Sequence, residues 1–113
     1  MSVELVTKTE SAFDRIFIEL IPQGKENALS AREIAVYTSS DVRGVQARIE
    51  RLRLAGVLIC SCLDGKGGGY FRPANNSEVN DYLRHERKRI AAREASLKPA
   101  IDFLKRGGFN GTG

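Results

Sequence analysis

Four arginines, one glutamine and a pair of serines fall within the stretch from Ser39 to Arg53, and no other part of the chain is so well equipped for recognition chemistry. Arginine presents a planar fork of donors that fits a phosphate or the O6/N7 edge of guanine, and glutamine can bond adenine in the same two-pronged way. Serine hydroxyls at a turn can donate to phosphate oxygens. Nothing comparable suits catalysis. His85 is the one histidine, without an evident nucleophile or carboxylate pair around it, and reads as a surface residue. Cys60 and Cys62 are the two cysteines. A disulfide across so short a loop is badly strained, and two cysteines with one histidine fall short of the about four ligands of a structural zinc site. The glycine-rich run around Lys66 lacks the spacing, and the following Ser or Thr, of a phosphate-binding loop. The expectation is a binding protein and not an enzyme, with no catalytic residue, cofactor, metal or small-molecule ligand.

These residues need elements to hold them. Residues 1–9 have no periodicity and are expected to fray. From Ser11, Phe13, Ile16, Phe17 and Leu20 recur at three- and four-residue spacing, which predicts an amphipathic helix that stops at Ile21-Pro22. Pro22–Ala28 reads as a polar loop. Ser30-Ala31-Arg32-Glu33 is a capping box, opening a short helix with Ile34 and Ala35 inward and Tyr37 at the edge; Thr38-Ser39-Ser40 end it. Asp41 caps a third helix whose inward stripe is Val45, Ile49 and Leu52, flanked by Val42 and Ala55 and closed by Gly56. Gly44 weakens that helix, which implies a close approach of backbone, either to the second helix or to a nucleic acid. Val57–Leu63 and Tyr70-Phe71-Arg72 read as the two strands of a hairpin, tipped by glycines and Lys66, with Tyr70 and Phe71 in the core. Asn76-Ser77 cap a long helix over 77–106, with a kink or a fresh start near 96–99 because Pro99 lacks an amide hydrogen. Residues 107–113 have the composition of a disordered tail.

The fold class is therefore mainly α with a small β-hairpin. The run Asp41-x-x-x-Val45-x-x-x-Ile49-x-x-Leu52-x-x-x-Gly56-Val57, behind a capped short helix and ahead of a hairpin, resembles the winged helix-turn-helix family. Ala55-Gly56-Val57-Leu58-Ile59-Cys60-Ser61 is similar to the strand that follows the recognition helix in small winged-helix proteins of bacteriophages and prophages. The resemblance covers Leu29 to Arg72, in a winged-helix domain over 10–74. It implies a third helix in the major groove of double-stranded DNA and a wing on the backbone or minor groove. With Val45 and Ile49 inward, Arg43, Ala47, Glu50, Arg51 and Leu54 turn outward and Gln46 lies at the flank. Arg43 and Gln46 are the candidates for reading bases; Arg48, Arg51, Arg53, Ser39, Ser40 and Lys66 are the candidates for phosphate. Exposed Glu50 and Leu54 favour the alternative, a winged-helix module that binds protein and no DNA.

Charge and periodicity add two expectations. The net charge of +4 favours a polyanionic partner. The basic run 84–89 is either a patch against DNA or the exposed side of a helix. Leu83, Ile90, Leu97 and Leu104 recur every seven residues, with Ile101 beside them, but Glu86, Arg93 and Ala100 occupy the intervening positions, against a long parallel coiled coil. An apolar ridge on a helix ~40 Å long is more than one small domain covers, so homodimerisation through it is expected. No run reaches the ~20 apolar residues of a membrane span, and the start lacks a secretory profile, so the chain reads as cytoplasmic. The resemblance to phage and prophage winged-helix proteins implies a role in transcription regulation or replication.

Overall fold

A computed structural model describes residues 12–63 and 68–110. Lys66, the stretch 1–9 and the tail beyond 110 lie outside the described residues. The protein is mostly helical, with one two-stranded antiparallel hairpin and a long C-terminal helix.

Helix α1, Ala12–Leu20, buries Asp14 and Phe17. With Ile21 also fully buried, its inward stripe is Asp14, Phe17, Ile21 and half-buried Ile18. The expected stripe is thus rotated by one position. Phe13 and Ile16, expected inward, are 43% and 63% exposed. The rotation follows from Asp14, which periodicity of apolar residues cannot register as an inward position.

The segment after α1 is more ordered than a polar loop. A single 3-10 turn, Lys25–Asn27, leads to Leu29, whose amide and carbonyl both pair with Tyr70 (3.0 and 2.8 Å). Helix α2, Ala31–Tyr37, starts on the expected capping box, with Ser30 Oγ accepting from the Glu33 amide and Glu33 accepting from the Ser30 amide. Ile34 and Ala35 face the core, while Tyr37 is 64% exposed.

The turn after α2 rests on Ser39, whose φ of +53° is left-handed. The Ser40 amide reaches the Ala35 carbonyl and the Ser39 amide that of Val36, the paired bonds of a Schellman ending, with serine where glycine is usual. Helix α3, Val42–Leu54, follows, with Asp41 accepting from the Gly44 amide at 2.7 Å. Val45, Ile49 and Leu52 are buried as their spacing predicts. Gly56, at φ +104°, closes α3 with the same bond pattern.

Strands β1, Cys60–Cys62, and β2, Gly69–Phe71, pair antiparallel with Ser61 opposite Tyr70. Leu29 pairs on the other edge of β2, so β2 is flanked on both sides. The glycines here are structural. At Gly69 an added Cβ would lie 3.0 Å from both Ala28 Cβ and the Leu29 carbonyl oxygen; Gly68 has φ +85°. The core gathers Phe17, Ile21, Ile34, Val45, Ile49, Leu52 and Ile59, with Tyr70 packed against it. Each such large apolar side chain contributes roughly 1.5–3 kcal/mol by burial. Cys60 is buried, and burial pushes its thiol above the ordinary range; Cys62 is half-buried.

Helix α4 spans Asn76–Lys105. It begins two residues before Glu78, and the cap is Asn75, which accepts from the Glu78 amide at 3.0 Å. Glu78 takes the Ala74 and Lys25 amides, and these bonds hold its carboxyl below the usual range. Pro99 starts no new helix. Ser96 donates to the Arg93 carbonyl instead of capping, and the helix continues to Lys105. Residues 91–100 are all exposed, so water can satisfy the Ala95 carbonyl that Pro99 leaves unpaired.

The chain divides into two compact units, Met1–Tyr82 and Leu83–Gly113. In the second, Gly107 turns back at φ +107° and Phe109 meets Phe103 edge-on at 4.9 Å. Residues 107–110 are therefore a helix ending rather than the start of a structureless tail. No described helix is long and apolar enough to cross a membrane.

Candidate nucleic-acid interface

Helix α3 is anchored by one side and free on the other. Val45, Ile49 and Leu52 sink into the core, and Arg43, Gln46, Ala47 and Glu50 are exposed. Their placement follows from the helical period alone: once the stripe is fixed, residues about 100° apart fall outside it. Arg43 and Gln46 stand one turn apart near the start of α3, beside the Ser39 turn. Arg43, Gln46, Ser39 and Ser40 are all exposed.

Gly44 belongs to the same first turn, and a close approach to the backbone of α2 is not the reason for it. The atom that an added Cβ would meet is the Asp41 carboxylate oxygen, at 2.9 Å, not the backbone of α2. Glycine here leaves room for the cap to close on the Gly44 amide. The cap also occupies the positive end of the helix with a carboxylate, so this terminus is not an open anion site.

The two serines differ. Ser39 is exposed at the turn. Ser40 Oγ lies 2.6 Å from Thr38 Oγ1, which itself donates to the Ile34 carbonyl at 2.8 Å. With the Thr38 proton so used, Ser40 donates to Thr38, and its remaining capacity is as an acceptor. That makes Ser40 a poorer phosphate donor than Ser39.

Three arginines of α3 are engaged inside the molecule. Arg48 Nη1 and Arg51 Nη2 both donate to one oxygen of Asp14, at 2.9 and 2.7 Å. Asp14 is 4% exposed, and the hydrogen bond from Arg51, ahead of its other causes, holds its carboxyl below the ordinary aspartate range. The Arg48 guanidinium also stacks over Phe13, 4.3 Å from the ring centre. These contacts tie α1 to α3. Two guanidiniums sharing one carboxylate leave a net single positive charge. Arg51, with half its side chain exposed, retains unused donors that face water. Arg53, expected among the phosphate partners, turns the other way. Its Nε donates to the Ile59 carbonyl at 2.9 Å, and its guanidinium lies between Tyr70 and Tyr82, at 5.9 and 5.3 Å from the ring centres. It fixes the path of the chain from α3 into β1.

The exposed residues of α2 and α3 are not purely basic. Val36, Tyr37 and Leu54 are 73%, 64% and 81% exposed, and Glu50 faces water near Arg53. Asp14 is the residue that sequence reasoning missed. It stands 34 and 37 positions from its partners, and the one local sign is an acidic residue inside an otherwise apolar helical face.

Leu83, Ile90, Leu97, Ile101 and Leu104 of the second unit are all exposed, from 37% at Leu83 to 72% at Leu104. Among the described residues, no group of three or more His, Cys, Asp or Glu side chains could hold a metal ion. No family model matches the chain, and no curated protein or solved structure matches it either.

Proposed function

We propose that this protein is a non-enzymatic, sequence-specific binder of double-stranded DNA, built as a winged helix-turn-helix. In this reading α2, the Ser39 turn and α3 form the helix-turn-helix, and the β1–β2 hairpin is the wing. Helix α3 lies in the major groove, Arg43 and Gln46 read base edges, and Ser39 and Arg51 hold phosphate. Arg48 is mainly an anchor for α1. Lys66, in the segment that joins β1 to β2, adds a contact to the DNA backbone.

The observation that carries this reading is the exposed Arg43–Gln46 surface on a helix whose opposite side is fully committed to the core. A recognition helix must be rigid on one side and polar on the other, and α3 has both properties. The resemblance to phage and prophage winged-helix proteins points to a role in transcription regulation or replication in the cytoplasm. We further read the protein as a homodimer joined through α4, which sets two half-sites about one helical turn apart.

Titration of a random duplex and of selected fragments at two salt concentrations tests the proposal. Binding must weaken steeply with salt, because neutralised phosphates release counterions. Exposure of Val36, Tyr37 and Leu54 favours a second reading, a winged-helix module that docks on protein. That module retains no duplex at either salt concentration.

A further inference from the structure

Helix α4 carries its unburied ridge on Leu83, Ile90, Leu97 and Leu104, seven residues apart. Four residues before Ile90 and Leu97 on the same side of the helix stand Glu86 and Arg93. They alternate with the ridge where a paired helix would need apolar contacts. Their opposite signs decide how two such helices can meet.

In a parallel pair each residue faces its own copy. Glu86 then meets Glu86 and Arg93 meets Arg93, two like-charge layers in the middle of the contact. In an antiparallel pair, ridge positions face the intervening positions. Set Leu83 against Ala100 of the second copy, and Ile90 falls against Arg93, Leu97 against Glu86 and Leu104 against Val79. At 1.5 Å per residue, Glu86 of one copy then lies about 6 Å along the axis from Arg93 of the other, within reach of both side chains. The flanks agree. Arg87 comes within about 3 Å axially of Glu94 of the second copy. By two-fold symmetry each attraction occurs twice.

The arm itself is shaped for this. Glu86, Arg89, Ile90, Ala92, Arg93 and Glu94 line a shallow, open depression along one side of α4. Glu86 is half-buried and held by Arg89 at 3.4 Å, so its carboxylate is already oriented beside the ridge. The methylene stems of Glu86 and Arg93 can cover Leu97 and Ile90 while their charged ends meet at the rim.

We propose that the second copy binds this arm antiparallel, with Leu97 against Glu86 and a reciprocal Glu86–Arg93 ion pair between copies. This rests on the reading of α4 as the dimer contact, and it adds the orientation and register. A parallel arm gains one flanking attraction, Arg89 to Glu94, but carries both like-charge layers.

The test uses the full chain. By sedimentation equilibrium, E86R weakens the dimer about tenfold or more, because three arginines then crowd one rim. The double variant E86R/R93E returns the dissociation constant to within about threefold of the parent. Both variants lose the internal Arg89–Glu86 link, and the pair that R93E can form with Arg89 within one helix is worth only about twofold, too little for a tenfold rescue. Oxidation of E86C/L97C gives a dimer with residues 86 and 97 linked, mapped by peptide mass. A parent that is monomeric at tens of micromolar overturns the dimer and the orientation together. Ready self-linking of L97C alone, or failure of R93E to rescue E86R, overturns the antiparallel register even if the parent is a dimer. Duplex binding, measured on the same samples, reports separately on the α3 surface.

Discussion

Asp14→Asn keeps the shape of the buried side chain and removes its charge, which weakens the α1–α3 tie. Arg48 and Arg51 each give this carboxylate a charge-assisted hydrogen bond, at 2.9 and 2.7 Å. A bond to a charged group contributes roughly 1.5–3 kcal/mol. Arg51 is half exposed and Arg48 about one-third exposed, so both can recover hydration, and asparagine can still accept one bond. The expected loss is therefore about 2–3 kcal/mol, well below the ~6 kcal/mol upper sum of two intact pairs. With a urea slope of about 1–1.5 kcal/mol per molar, the unfolding midpoint falls by about 2 M at pH 7. The pH dependence gives an independent check. Asp14 titrates lower in the folded than in the unfolded protein, so the unfolded state binds more protons in acid. Its contribution is fully present above the unfolded value near 4 and is lost as pH falls through the folded value. Glu78 acts with the same sign, so the difference between parent and variant isolates Asp14. The gap between the two unfolding curves must shrink below about pH 4. A variant within ~0.5 kcal/mol of the parent at pH 7 would refute the anchoring role and return Arg48 and Arg51 to the solvent side.

Two further outcomes follow from the backbone. Ser39→Gly relieves a left-handed residue and gains about 0.5–1 kcal/mol in urea unfolding after the entropy of the unfolded glycine is counted, while Ser39→Ala gains nothing. Gly69→Ala forces a Cβ against Ala28 and Leu29 at 3.0 Å; it costs roughly 1–3 kcal/mol and speeds hydrogen exchange at the Leu29 and Tyr70 amides.

The helices were legible where one residue type repeats on one face. Val45, Ile49 and Leu52 are apolar at helical spacing, and they are the inward stripe of α3. Local polar signals worked equally well: the Ser30 box and the Gly56 ending need only neighbours within five residues. Illegible features are those made by distant parts of the chain. Leu29 pairs with Tyr70 over one residue, too short for any alternation to show. Asp14 is buried because Arg48 and Arg51 reach it, and their common target has no trace in the α3 stripe. At Pro99 the expectation of a fresh start fails for a local reason: a breaker is tolerated inside a helix where the freed carbonyl can meet water. At the α3 surface, the outward positions of Arg43 and Gln46 were readable from period alone. The diversion of Arg53 to Ile59 was not, since a long side chain on a helix flank can turn either way.

The central proposal is that the outer side of α3 reads base pairs. Selection of bound fragments from a random duplex pool, run with the parent and with Arg43→Ala, puts it to the most direct trial. The parent must enrich a defined motif, and Arg43→Ala must lose preference at one position in each half-site while still binding duplex at low salt, a discrimination loss of about 1–3 kcal/mol. Enrichment of no motif by the parent, or the same motif at undiminished strength from Arg43→Ala, would contradict it.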